Sequence, residues 1–215
     1  MYLTYIILAK SSSIQKYFEL QSELRDYMQH KNLPPYLHKR LLEYFEFNYQ
    51  KRYFREKEIL VTISGQLKQE VILHTCRKLV ENVDFFRNLP TTLLVRIVTN
   101  LQMETFMTND VILKYDGVGD CMYFIATGTV SIVTKFGREI CHLFDGDHFG
   151  EIALVTAHKR IATVIAVEPC ELYKLDRKDF VQAILPYPDL LLKIERIAFS
   201  RLEETAELED KKADM

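Results

Sequence analysis

The sequence predicts an α+β fold: a helical N-terminal layer followed by an antiparallel β-roll (jelly roll) with flanking helices. Three observations carry that expectation. Apolar residues recur at three- and four-residue steps from Ser12 to Val83, short β-rich runs replace them near Met103, and helical spacing returns after Asp176. Five of the seven glycines fall between Gly117 and Gly146, where they separate the short runs as a tightly folded β structure requires.

The first segment, Tyr2 to Ala9 (YLTYIILA), is almost wholly apolar. It is far shorter than the roughly 20 residues that cross a bilayer, so it reads either as a buried helix start or as the inner end of a membrane helix. Serines suited to capping then precede an amphipathic stripe of Ile14, Tyr17, Phe18, Leu24, Tyr27 and Met28. Asn32-Leu33-Pro34-Pro35 breaks it, and the prolines launch a second run through Leu37, Leu41, Leu42, Tyr44 and Phe45. A short third segment from Glu56 to Ile63 ends at Ser64-Gly65, and Leu67, Val71, Thr75, Cys76 and Leu79 mark a fourth helix. Tyr44, Phe45, Phe47, Tyr49, Tyr53 and Phe54 make this layer rich in aromatics, which fits either a local core or a surface packed against another subunit or domain.

Strands are expected at Glu104–Met107, Val111–Lys114, Met122–Ala126, Val130–Thr134, Glu139–Leu143, Ala162–Val167 and Glu171–Leu175. Asp176 is placed to cap a helix through Val181 and Leu185. Tyr187-Pro188 then starts a last helix running past Leu191, Ile194, Ile197 and Leu202.

With 215 residues and 48% hydrophobic content the chain can bury a sizeable core, so disorder is not the expectation. A formal charge of −2 and a pI near 6.3 argue against a broad nucleic-acid-binding surface while allowing a local basic pocket. The four cysteines, at 76, 121, 141 and 170, show neither CxxC spacing nor an accompanying histidine cluster, and read as reduced, mostly buried cytosolic thiols.

The most informative stretch is Phe149 to Val164, FGEIALVTAHKRIATV. Gly150 permits close backbone approach, and the Glu151 carboxylate can accept hydrogen bonds from sugar hydroxyls. The amides of Ile152, Ala153 and Leu154 open a short helical turn suited to phosphate, and Arg160 supplies a permanent charge able to grip two phosphate oxygens. Taken singly these are ordinary turn and surface residues; together they form an anion-binding set.

That set resembles the phosphate-binding cassette of cyclic-nucleotide-binding domains, F-G-E-[I/L]-x-L followed by R-[T/S]-A-[T/S]-V. KLVENVDFFRNLP, MYFIATGTVSIVTK and HLFDGDHFGE are similar to further pieces of that domain in order, and the resemblance covers roughly residues 78 to 205. Upstream, YMQHKNLPPYLHKRLLEYFEFNYQKRYFREKEIL and LKQEVILHTCRKLV resemble the C-linker of hyperpolarisation-activated and related cyclic-nucleotide-gated channels. The resemblance implies four parts: residues 1–11 as the inner end of a pore-lining helix, 12–80 as the C-linker, 81–205 as the nucleotide domain and 206–215 as an acidic tail. It also implies a regulatory region on the cytoplasmic face of the plasma membrane, partnered by the channel pore and by three further copies.

Residue by residue, the resemblance implies that Gly150 and Glu151 meet the ribose, while the Ile152 and Ala153 amides and Arg160 meet the cyclic phosphate. Ile132 and Leu143 would line the base pocket, and Arg201 on the last helix would close over the purine. Ile161 stands where many members carry a hydroxyl residue that binds phosphate and the guanine amino group, so cyclic AMP is the expected ligand and cyclic GMP a weaker one. Glu204 places a negative charge where the closest channels carry a second basic residue. In the linker, Asn32 and Thr62 replace a frequent lysine and glutamate. No cofactor is expected beyond the ligand.

Other classes fit less well. A ligand-independent module that keeps the fold for assembly and gating is the strongest rival. A transcription regulator needs a helix-turn-helix after the last helix, where this sequence reads ETAELEDKKADM. A kinase regulatory subunit would bring a second nucleotide domain and an inhibitor segment. A cupin-like metal site from Asp147, His148 and Glu151 lacks a second histidine cluster, with His148 expected in a turn, and no nucleophile-base pair suggests an enzyme.

Overall fold

The computed structural model describes residues 2–50, 56–86, 89–156 and 159–210. The chain divides into two compact units, Met1–Ser64 and Gly65–Met215.

The first unit holds α1 (Tyr2–His30), α2 (Pro35–Gln50) and α3 (Glu56–Thr62). α1 runs straight through Ser11, Ser12 and Ser13, so these are interior residues and not caps. Serine is only modestly poorer than alanine inside a helix, too little to end one. The helix stops at Asn32, whose φ of +48° is left-handed. The Leu33 N–H donates to the Met28 carbonyl at 3.1 Å and the Asn32 N–H to the Gln29 carbonyl at 3.0 Å, a Schellman ending that asparagine tolerates better than most residues. Asn32 and Thr62 thus have local roles: the Thr62 hydroxyl donates to the Ile59 carbonyl at 2.7 Å.

Part of the aromatic surplus is satisfied inside this unit. The Tyr17 ring lies 5.3 Å from Phe45 and 5.6 Å from Tyr49, and Phe45 lies 4.6 Å from Tyr49. Phe18, Tyr27, Tyr36 and Tyr44 remain exposed. Tyr53 and Phe54 lie outside the described residues.

The second unit opens with α4 (Gly65–Thr75), α5 (Arg77–Asn82), a 3₁₀ turn at Asp84–Phe86 and α6 (Thr91–Val98). The expected fourth helix is therefore two helices meeting at Cys76. The strands follow: β1 (Gln102–Phe106), β2 (Val111–Leu113), β3 (Cys121–Thr127), β4 (Val130–Val133), β5 (Glu139–Leu143) and β6 (His148–Phe149). After α7 (Glu151–Thr156) come β7 (Thr163–Ala166), β8 (Cys170–Asp176), α8 (Arg177–Ile184) and α9 (Pro188–Asp210). The strands predicted by pattern occur with ends shifted by at most two residues, whereas β6 and α6 were not expected.

Two four-stranded antiparallel sheets, ordered β1-β8-β3-β6 and β2-β7-β4-β5, form the roll. This is the predicted α+β architecture. β3 explains how the roll joins the helices. Cys121, Tyr123 and Ile125 point into a core shared with Val130, Phe149, Val164 and Leu172 between the sheets. Met122 and Phe124 point the other way, into a second core with Leu79, Phe86, Ile97, Leu154 and Phe180. A strand buried on both faces reads as a continuous apolar run, and CMYFIA is one.

α9 joins the second core through Leu190, Leu191 and Ile194. Ala198, fully buried, and Arg201 continue that stripe at helical spacing. Asp176 does not cap α8 with its side chain, which sits 3.4 Å from Lys174 Nζ. The Arg177 N–H instead donates to the Asp120 carbonyl at 2.7 Å.

Candidate functional site

A cavity of about 230 Å³ opens between β4, β5, the cassette and α9. Of the residues singled out from sequence, Ile132, Leu143, Gly150, Glu151, Ile152, Arg160, Ile161 and Arg201 line it. The Ala153 side chain lies outside the described residues. Sequence reasoning missed Leu113, Ile140, Cys141, His148, Phe149, Lys159 and Ala162, which also line it. Ile140 and Cys141 reach the wall together because of a register shift: Ile132 pairs with Cys141 while Val133 pairs with Glu139, leaving Ile140 as the extra residue.

Arg160 is only 5% exposed. Its Nε donates to the Val118 carbonyl at 3.2 Å, Nη1 to the Gly150 carbonyl at 2.9 Å and Nη2 to the Cys121 carbonyl at 2.6 Å. Nη2 also lies 3.4 Å from Cys121 Sγ and 3.6 Å from the Asp120 carboxylate. Three of the five guanidinium N–H groups thus donate to backbone carbonyls. The arginine ties β3, its preceding loop and the cassette together.

Gly150 is explained by the same contact. Its φ is +87°, and a Cβ built there would lie 2.9 Å from Arg160 Nη1, 3.2 Å from Leu113 Cδ1 and 3.3 Å from the Cys121 carbonyl. The glycine makes room for the arginine.

Glu151 is 3% exposed, and its Oε1 accepts from Arg201 Nη1 at 2.7 Å. Arg201 Nη1 also lies 3.4 Å from the His148 carbonyl. Arg201 therefore meets the carboxylate expected to read a ribose, and this pair fastens α9 to the cassette. The Glu204 side chain lies outside the described residues.

His148 is a strand residue, not a turn residue. Its ring packs 5.5 Å from Phe85 and 6.2 Å from Phe124. The Asp147 carboxylate accepts from the Phe144 N–H at 2.9 Å. Among the described residues no three His, Cys, Asp or Glu side chains are placed to hold a metal.

The four cysteines carry free thiols; Cys76, Cys121 and Cys170 are buried and Cys141 is exposed. Burial pushes the Cys121 thiol up to about 11, against the opposing pull of Arg160, and does the same for Cys170. Both stay neutral and unreactive near pH 7. Among the described residues no helix is long and apolar enough to cross a membrane.

Comparison with known proteins fits this geometry. The cyclic nucleotide-binding domain family matches residues 103–187, which include the roll and the cassette. The potassium/sodium hyperpolarization-activated cyclic nucleotide-gated channel 4 of Homo sapiens is 36% identical over 200 residues, 93% of this chain and 16% of that protein. Channel 2 of Mus musculus is 34% identical, over 93% of this chain and 23% of its own length. Channel 1 of Rattus norvegicus is 33% identical, over 93% and 22% respectively. The chain thus spans about a fifth of the length of these relatives. Coverage of that extent carries the likeness upstream of the roll into the helical layer, and the family is one of binding domains, not enzymes. Residues 103–187 belong to the cyclic nucleotide-binding domain family, and the chain is homologous over 93% of its length to a region of the hyperpolarization-activated channels.

Proposed function

We propose that this chain is the cytoplasmic regulatory region of a tetrameric cation channel, which binds cyclic AMP and passes that binding to the pore gate. The observation that carries the reading is the cavity itself. Its lining divides between charged side chains, Arg160, Lys159 and Glu151, and apolar ones, Ile132, Ile140 and Leu143. An anionic sugar phosphate with an apolar base matches that division.

In this reading Arg160 supplies charge and one remaining N–H to the cyclic phosphate, beside the first amides of α7 at Ile152 and Ala153. Glu151, held by Arg201 through Oε1, turns its other oxygen to the ribose. Ile132 and Leu143 pack on the base. Ile161 offers no hydroxyl, so cyclic GMP must bury its amino group without a partner and binds less tightly. Ligand binding biases the gate only by its difference in affinity between two arrangements of the protein, typically about 1–3 kcal/mol. Residues 12–80 are the linker that transmits it, and the exposed aromatics Phe18, Tyr27, Tyr36 and Tyr44 suit assembly with other copies. The isolated piece associates only at high concentration.

One observation favours a second reading, a ligand-independent coupling module. Arg160 and Glu151, the two polar anchors, both already have protein partners. Cys141 separates the two readings. It is the exposed thiol, it lines the cavity, and the three other cysteines are buried. A thiol reagent is expected to label it first, and saturating cyclic AMP to slow that labelling at least about fivefold by covering the wall. An unchanged rate supports the ligand-independent module.

A further inference from the structure

Lys159 lines the cavity beside Arg160, and its chemistry is not absorbed by the anchors above. Its Nζ donates to both carboxylate oxygens of Asp116 at 2.9 Å. The two side chains are 69% and 63% exposed, and ion pairs so placed are easily exchanged for another partner. Asp116 is not there by accident of rotamer. Its φ is +63°, its N–H donates to the Arg160 carbonyl at 2.9 Å, and the Arg160 N–H donates to the Gly117 carbonyl at 3.0 Å. The Asp116-Gly117 turn is thereby clamped to the backbone of Arg160, which delivers the carboxylate to the residue next to it.

Arg160 and Lys159 differ in what they can still offer an anion. The guanidinium donates to three backbone carbonyls, and its Nη2 also faces Cys121 Sγ and the Asp120 carboxylate, which leaves one N–H on Nη1. A cyclic phosphate carries its charge on two exocyclic oxygens. The ammonium of Lys159 is a point charge with three rotatable donors on a flexible stem, and an exposed carboxylate is its present partner.

We propose that Lys159 is a second phosphate-binding cation of this site and that Asp116 is its built-in competitor, an internal anion that the ligand phosphate must displace. The inference rests on the nucleotide reading of the cavity. It assigns the affinity of the site to a balance between two anions for one lysine. Removing the competitor therefore strengthens binding, an effect opposite in sign to losing the lysine.

The test is calorimetric titration of cyclic AMP into the wild-type chain, Lys159→Ala, Asp116→Asn and the double variant. Asparagine keeps the shape of Asp116 and tolerates its left-handed backbone while removing the charge. Lys159→Ala is expected to weaken binding about fivefold and Asp116→Asn to tighten it about threefold, both effects shrinking at high salt. The double variant is expected to match Lys159→Ala alone. Melting temperatures close to wild type confirm that each variant is folded. A Lys159→Ala variant that binds as the wild type does overturns the inference while leaving the nucleotide reading standing. So does an Asp116→Asn variant weakened as much as Lys159→Ala, because the pair then serves only the loop. A wild-type chain that takes up no cyclic AMP at all removes the reading on which the inference rests, and the inference with it.

Discussion

Replacing Arg160 by alanine is expected to lower the unfolding free energy by about 2–4 kcal/mol and cyclic AMP affinity by about ten- to a hundredfold. The two losses have separate causes. The stability loss comes from the Val118, Gly150 and Cys121 carbonyls, which lose a charged donor in a buried place where water cannot fully replace it. The affinity loss comes from the missing positive charge at the phosphate end. Arg160→Lys distinguishes them: an ammonium keeps the charge but cannot span three carbonyls in a planar fork. Denaturant unfolding of both variants is therefore expected to show a clear loss, while titration shows binding better retained in Arg160→Lys. Gly150→Ala should resemble Arg160→Ala in stability, because its Cβ would occupy the space of Nη1. Wild-type stability in Arg160→Ala would contradict the tying role.

The second large effect concerns the fastening of α9. Arg201→Ala leaves the Glu151 carboxylate, nearly inaccessible to water, without the cation that faces it at 2.7 Å. Breaking a fully buried pair from one side costs roughly 3–5 kcal/mol; Arg201 is 39% exposed, so about 2 kcal/mol is expected. Adding Glu151→Gln removes the stranded charge. The double variant should thus lose less than the sum of the single losses, a coupling readable by denaturant unfolding. Limited proteolysis is expected to cut α9 faster in Arg201→Ala than in the wild type. Additive losses would show that the two side chains do not depend on each other.

The fold was legible where one periodicity ruled. β3 announced itself as an unbroken apolar run because it is buried on both faces. β6 was missed because two residues, His148 and Phe149, carry no period at all. The serines near the start of α1 were misjudged because a capping residue is a signal only when no helix precedes it, and here one does. Asp176 does not cap α8 because its carboxylate faces Lys174 Nζ at 3.4 Å, a partner that helix signals do not reveal.

The candidate site shows the same division. About half of the residues that gather in the cavity come from the Phe149–Val164 stretch, because motif residues are close along the chain. Their partners were not legible. Arg160 donates to main-chain carbonyls of Val118 and Cys121, and every residue type has a carbonyl. At Gly150, which lines the cavity, only the packing shows that the Arg160 guanidinium fills the space beside it. Cys141 and Ile140 join the wall through a bulge that alternation alone does not reveal.

The central claim, that the cavity holds a cyclic nucleotide, is tested most directly by titrating cyclic AMP into the purified chain in a calorimeter. The account predicts saturable binding, tighter than that of cyclic GMP. No heat at millimolar ligand, together with a melting temperature that cyclic AMP does not raise, would contradict it and leave a fold whose anchors serve only the protein.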